Sequence, residues 1–501
     1  MQVFEPIPLG SPIPDSPHAV SCSLPTMAAV RGYEEKDPGV ISSLKTGYPR
    51  FVIHPFARRL GEELSRRHGL GSRKLWLASS RKMALALLAH LGDPDATLFE
   101  GDGVTGVTHL ESPELGQRAK LYLQNIGGFL SSREAEDRLA SLGLCPTPKA
   151  EDTFPGDARS EVLRHLGPRF PGVPGSHLML ANSGMNAVHA AFSAVNAVQA
   201  PRGRTAWVQL GWLYLDTIAI LKKYTAHAED YIPFGNVMDL DGLDRLFSER
   251  AASIAGVMAE VPTNPLVQTP DLALLSALCR RHGVKLVLDP SLVSVFSADC
   301  LRHADVLVTS LTKYTGNEGD VIAGLVAVNP QGADAAALAE AATAVVDPPY
   351  SRDLARLASQ IRNTEAVLAQ IEETTPKVAA FLASHPAVTA TYWALAAASR
   401  ANYLAIARKP GATGGVISFQ VRGKLEAFYD RLRLPKGPSF GMRTTLICPF
   451  MYLAHYDLVT TEAGRGELRA NGLDGDLLRL CVGTEPAEEI VGALREALAG
   501  I

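Results

Sequence analysis

The chain has 501 residues, 47% hydrophobic and 20% charged, with a formal net charge of -4 at pH 7. A length beyond the roughly 250 to 300 residues at which single cores stop growing implies two or more domains, and the charge balance lacks the basic surplus of a nucleic-acid or anionic-membrane binder. The opening "MQVFEPIPLGSPIPDSPHAV" has no basic segment followed by an apolar one, and nowhere do about 18 apolar residues run without a charge, so a cytoplasmic protein is expected.

Residues 1–60 are expected to form an N-terminal arm, because the first 30 or so are rich in Pro and Ser and need another surface to order them. A larger α/β domain is expected over 61–345. Within it, a segment at about 70–175 carries weak turn punctuation and no pattern to which a chemistry attaches. From about 176 to 330 the short apolar runs "LMLA", "TAWVQL", "IAGVMAEV", "VKLVLD", "DVLVTS" and "AGLVAV" alternate with helical segments such as "DLALLSALCRRHG". That alternation is the mark of βαβ units and of a mostly parallel sheet with helices on both faces. One long helix is expected over "DLARLASQIRNTEAVLAQIEETTPKVAAFLASHP", within a smaller α+β domain at 346–501. The six cysteines show no CxxC pair and read as reduced thiols, and the thirteen histidines show no HExxH spacing, so no metal is expected.

In such sheets ligands sit beyond the carboxyl ends of the strands. Polar residues stand there: Glu260 and Asn264 in "IAGVMAEVPTNP", Asp289 in "VKLVLDPS", and Ser310, Thr312 and Lys313 in "ADVLVTSLTKY". A carboxylate at the end of a buried strand needs a partner, so Asp289 faces a cation or a protonated heterocycle, unless it caps a tight turn. In "LANSGMNAVHAAFSAV", Ser183 and Gly184 stand between a strand and a helix, where free N–H groups make an anion site, although such residues also serve as plain caps. Tyr214 in "GWLYLDT" offers an aromatic face or a core residue. Together, an anion site, a ring face, an acid, an amide and a lysine flanked by hydroxyls match the needs of pyridoxal 5'-phosphate.

The order and wording of these motifs resemble the Cys/Met-metabolism family of pyridoxal-phosphate enzymes, over about residues 176–500. Within it the long fungal-type cystathionine γ-synthases are nearest, since Tyr48 and Ser183 stand far apart here as they do there. The resemblance implies fold type I, a mostly parallel seven-stranded sheet flanked by helices, with the smaller C-terminal α+β domain and the arm. It makes Lys313 of "SLTKY" the cofactor's lysine, with Ser310 and Thr312 on the phosphate. The amides of Gly184 and Met185 join them through "SGM". Tyr214 of "YLDT" stacks on the ring and relays protons, Asn264 of "EVPTNP" lies near the 3-oxygen, and Asp289 holds the pyridine nitrogen. "TGYPRF" resembles a Tyr-x-Arg element in which Tyr48 and Arg50 cross to a neighbouring subunit, which implies a homodimer or homotetramer. "PSFGMRTTLICP" and "LLRLCVGTEP" make Arg479 the clamp for a substrate α-carboxylate, with Ser439 beside it.

The activity implied is γ-replacement on an O-acylhomoserine by cysteine, giving cystathionine for transsulfuration and methionine biosynthesis. O-acetylhomoserine sulfhydrylation, a γ- or β-lyase reaction and a non-catalytic homologue are the alternatives. Four departures bear on substrate choice: Thr444 replaces the family acid of VESL, "YLDT" replaces YGGT, "PSLVSV" follows Asp289 in place of an NTF-like stretch, and "TGNEGD" follows the lysine.

Overall fold

The structure, a computed structural model, describes residues 4–46 and 52–501. Its strands in chain order are β1 (Pro12–Ile13), β2 (Ser21–Cys22), β3 (Arg73–Ala78), β4 (Thr97–Gly101), β5 (Val104–Leu110), β6 (Leu178–Ala181), β7 (Ala206–Leu210), β8 (Tyr231–Phe234), β9 (Ile254–Glu260), β10 (Lys285–Asp289), β11 (Val306–Ser310), β12 (Gly324–Val328), β13 (Val388–Trp393), β14 (Val416–Val421), β15 (Leu446–Pro449) and β16 (Leu478–Cys481).

The largest sheet has seven strands in the order β6-β12-β11-β10-β9-β7-β8. β12 runs antiparallel to both of its neighbours, and the remaining neighbouring pairs are parallel. Six strands therefore point their carboxyl ends the same way. The six apolar runs read from sequence are all strands of this sheet. The seventh strand, β8, is the four-residue "YIPF" at the sheet edge, where Pro233 breaks the apolar run and costs no interior ladder bond.

Apolar side chains cover both faces. Leu180, Val208, Val257, Leu286 and Leu307 pack on one side, and Met179, Trp207, Met258, Val287 and Val308 on the other. The helix Gly184–Gln199 crosses that second face with a run of alanines that lets it lie close to the strands. Trp207 is fully buried, stacks on Phe192, donates Nε1 to Asn196 Oδ1 at 2.8 Å, and fills the space above Gly256, where a Cβ would fall 2.9 Å from the indole.

The single helix expected over 353–386 is two, Ser351–Gln360 and Thr364–Ser384, joined by a tight turn at Ile361–Asn363. At the break Asn317 Nδ2 donates to the Gln360 carbonyl at 3.1 Å and Thr364 Oγ1 donates to the Thr315 carbonyl at 3.0 Å. The loop after Lys313 thus intrudes at the helix break with one side-chain donor, Asn317, and one backbone acceptor, the Thr315 carbonyl. A four-stranded antiparallel sheet, β13-β14-β16-β15, follows.

The arm finds its covering surface on this same chain. Leu24, Met27, Val30 and Tyr33 pack with Val378, Phe419 and Phe428, and Tyr429 donates its hydroxyl to the Leu24 carbonyl at 3.0 Å. The segment that sequence left unassigned is an antiparallel sheet, β3-β5-β4, with the helices Pro55–Arg67, Arg81–Leu91, Pro113–Ile126 and Ser132–Ser141 around it. Among the described residues no helix is long and apolar enough to cross a membrane.

Trp207→Ala empties a site with no room to collapse against Gly256, so a loss of about 3 to 5 kcal/mol in unfolding free energy is expected from denaturant melts.

Candidate active site

The common carboxyl end of the parallel strands opens onto one pocket. It is lined by Gly184 and Met185 after β6, Tyr214 after β7, Glu260 and Asn264 at the end of β9, Asp289 at the end of β10, and Ser310 and Lys313 at the end of β11; Ser439 and Arg479 face them from the C-terminal layer. Each reaches this place for a local reason. Ser183 caps the helix Gly184–Gln199 by accepting from Asn186 N at 3.1 Å. Gly184 has no room for a side chain, since a Cβ would fall 2.9 Å from Ser310 Cβ, and so the backbone of the helix start lies open against the end of β11.

Asp289 and Glu260 are paired in register on β10 and β9. Burial pushes both carboxyls well above their ordinary range, and the neighbouring Asp289 charge raises Glu260 further. Asp289 Oδ1 is held by the backbone N of Ser291 at 2.9 Å and its hydroxyl at 2.6 Å, and the same hydroxyl accepts from Ser310 N at 2.7 Å. Glu260 Oε1 accepts from Tyr214 N at 2.5 Å, at the residue preceding the helix Leu215–Lys223.

Lys313 Nζ donates to Ser439 Oγ at 2.9 Å and stands 4.8 Å from the centre of the Phe440 ring. Ser439 has a φ of 88°, a conformation that non-glycine residues rarely adopt. It turns the hydroxyl to Lys313 and the carbonyl to Arg479 NH2, 3.2 Å away. Arg479 NH1 donates to Asn264 Oδ1 at 3.1 Å, and its guanidinium lies 5.0 Å and 4.5 Å from the Phe440 and Phe450 ring centres. Rings on its faces leave the edge of the fork for a planar anion. Val188, Leu215, Leu292, Ile322, Leu453 and Ala454 give the wall an apolar share.

The family model described as Cys/Met metabolism PLP-dependent enzyme matches residues 173–499. The chain belongs to this family. Its cofactor is therefore pyridoxal phosphate, and it is an enzyme fold of type I. The chain is 37% identical, over 98% of both chains, to the L-2-amino-4-chloropent-4-enoate dechlorinase/desaturase of Streptantibioticus cattleyicolor, and 26% identical, again over 98% of both, to the cystathionine gamma-synthase of Neurospora crassa. The solved cystathionine gamma synthase of Xanthomonas oryzae superposes with a TM-score of 0.54 at 26% identity, over 64% of this chain and 81% of that one. The cystathione gamma lyase of Micromonospora echinospora, at 23% identity and a TM-score of 0.55 over 66% and 85%, shares the fold.

The donor set fits the family's cofactor: an amine, a buried acid, a helix start too tight for a Cβ, and a hydroxyl at the end of β11. Of the described candidates Thr312 alone is not part of the lining. Its Oγ1 accepts from Ala323 N at 3.1 Å and lies 3.4 Å from the Ala323 carbonyl, so it ties β11 to β12 from behind. Tyr48 and Arg50 lie outside the described residues. Sequence reasoning gave no role to Ser291, Phe440 or Phe450. The Asp-Pro-Ser spacing after β10 is the signal that could have found Ser291, because a hydroxyl two residues on can fold back on the carboxylate.

Replacing Lys313 by Ala is expected to abolish the visible absorbance of the bound cofactor together with turnover, measured on the same sample. For Glu260 the raised carboxyl means that the folded chain holds a proton the unfolded chain has lost. The stability it contributes is full in mild acid and disappears as pH rises through the raised value. In the cofactor-free protein, Glu260→Gln, which keeps the acceptor for Tyr214 N, should lose less melting temperature than the unaltered protein between about pH 5 and about pH 8.

Proposed function

We propose that the enzyme removes an uncharged substituent from Cγ of a single L-amino acid. One observation carries this reading: among the described residues the cations lining the pocket are Lys313 and Arg479, and both are committed. Arg479 suits the α-carboxylate of one substrate. A second amino acid such as cysteine would need another clamp for its own carboxylate, and a charged leaving group such as a succinyl ester would need one too. Phe440, Phe450 and Leu453 line the pocket with apolar surface instead. The relative from Streptantibioticus carries, by its name, a substrate with chlorine on the fourth carbon, which is Cγ.

When bound, pyridoxal phosphate supplies an electron sink conjugated to Cα. Its phosphate would lie on the amides of Gly184 and Met185 and the hydroxyl of Ser310, its ring against Tyr214, its nitrogen on Asp289 and its 3-oxygen near Asn264. The amine of Lys313 would hold its aldehyde. Burial alone would leave Asp289 neutral, so a cationic nitrogen beside it restores the charged form, and each stabilises the other. Arg479 fixes the carboxylate in plane, which sets the Cα–H direction toward Lys313. Freed by the substrate amine, Lys313 Nζ takes the Cα proton, passes it on and so returns to a neutral amine, and then takes one from Cβ, with Ser439 Oγ orienting it, while the first proton returns to the carbon skeleton as the product is released. The Cβ proton and the Cγ substituent leave together as HX, and the carbon chain gains one unsaturation. The rings of Phe440 and Phe450 keep water from the site meanwhile.

Replacement by cysteine to give cystathionine is the second reading, favoured by the full-length similarity to the Neurospora enzyme. A homodimer or homotetramer, in which Tyr48 and Arg50 complete a neighbouring site, belongs to both readings, as does a cytoplasmic enzyme.

Purified holoenzyme incubated with L-2-amino-4-chloropent-4-enoate or O-acetyl-L-homoserine, with and without cysteine, decides between them. Release of chloride or acetate independent of cysteine is expected. Cystathionine formed only with cysteine would establish replacement, and no release from either compound would overturn both. Arg479→Lys should raise KM by about one to two orders of magnitude by losing the two-pronged contact, with the cofactor band retained.

A further inference from the structure

The family match begins at residue 173, and the segment before it has no role in the chemistry described so far. One stretch of it, Gln124–Arg133 ("QNIGGFLSSR"), lies directly behind the pocket and touches three of its walls. Gln124 Nε2 and Asn125 Nδ2 both donate to Asp216 Oδ1, at 2.8 Å and 3.1 Å. Asp216 is in the first turn of the helix that Tyr214 precedes, and is 1% exposed. The Ile126 carbonyl accepts from Asn186 Nδ2 at 3.3 Å, and Gly127 packs so tightly on Ser183 that a Cβ would fall 2.1 Å from its hydroxyl. Arg133, 1% exposed, donates NH1 to the Asp320 carbonyl at 2.7 Å and to Asp353 Oδ1 at 3.0 Å, and Nε to Glu151 Oε2 at 2.9 Å.

We infer that Gln124–Arg133 is a positioning platform for the cofactor pocket, and that Asp216 is the positioning residue through which it holds Tyr214. The contacts reach the ring-stacking element, the phosphate-facing helix start and the loop after Lys313 from one short segment of chain. A buried carboxylate in a helix's first turn is favoured by the dipole but needs donors, and the two amides supply them. Asn125 is itself oriented, since its Oδ1 accepts from Tyr224 OH at 3.1 Å. Two of the departures from the family wording are thereby accounted for. The aspartate of "YLDT" is the socket for the amides, and Asp320, the second of the two acids in "TGNEGD", is the partner of Arg133, Arg356 and Gln360.

This inference rests on the cofactor reading of the pocket but not on the substrate class, and its test uses no substrate. Holoenzyme is diluted and the loss of visible absorbance is followed for Asp216→Gly, Asp216→Asn, Gln124→Ala/Asn125→Ala, and the combination of Asp216→Gly with that pair. Asp216→Gly and the amide pair should each speed cofactor loss about tenfold or more, and the combination should be no faster than Asp216→Gly alone, because the amides act through Asp216. Asp216→Asn, which keeps an acceptor oxygen, should stay within about threefold of the unaltered protein. Retention unchanged by Asp216→Gly, or effects that multiply in the combination, would overturn the inference. So would cofactor loss that only tracks loss of circular dichroism, which would mark a purely structural role.

Discussion

Two carboxylates share the buried end of the sheet, and much of the site answers to that placement. Asp289 and Glu260 sit opposite each other on adjacent strands, where among the described residues no ion pair engages either and the charge of Arg479 only partly offsets the burial of Glu260. Such a pair is tolerated only where each member is otherwise engaged. Ser291 and Tyr214 N take up part of the cost through hydrogen bonds, and in doing so they fix the end of β11 and the start of the Tyr214 helix. A cationic heterocycle beside Asp289 would supply the missing charge. The affinity of the pocket for such a ring is thus partly an electrostatic need of the empty protein.

How far sequence could be read varied with the range of the interaction. The strands from β6 to β12 were legible, apart from β8, because a strand buried on both faces must be an uninterrupted apolar run, and strand ends are where polar residues collect. Lys313, Asp289, Asn264, Ser310 and Gly184 were named on that ground and stand together in the pocket. Arg479 and Ser439 were reached only through the wording of motifs, since nothing local says that a residue in β16 faces the end of β9. Thr312 shows the limit of a motif. Its neighbours line the pocket, yet its hydroxyl is spent on Ala323.

The least legible part was the segment before residue 173. Its strands β3 and β4 are partly exposed while β5 is mostly buried, and although its apolar clusters are its own, its polar ties to the pocket run to residues far along the chain. Arg133 draws on carboxylates from three separate stretches, Glu151, Asp320 and Asp353, a partnership that no periodicity reveals. The same long-range network explains why the expected single helix at 353–386 breaks: residues after Lys313 reach across and compete for its backbone.

The reversal of β12 has a consequence for Lys313. Ser310 pairs with Gly324 across the β11–β12 ladder, and Thr312 joins the same ladder through Ala323, so the lysine sits on a loop whose two feet are stapled to each other. Such a loop cannot slide along the sheet. In the proposed reaction its amine would reach from one carbon to the next by swinging on its own torsions, like a crane on a fixed mast, and the radius of that swing would set how far apart two successive proton transfers can be.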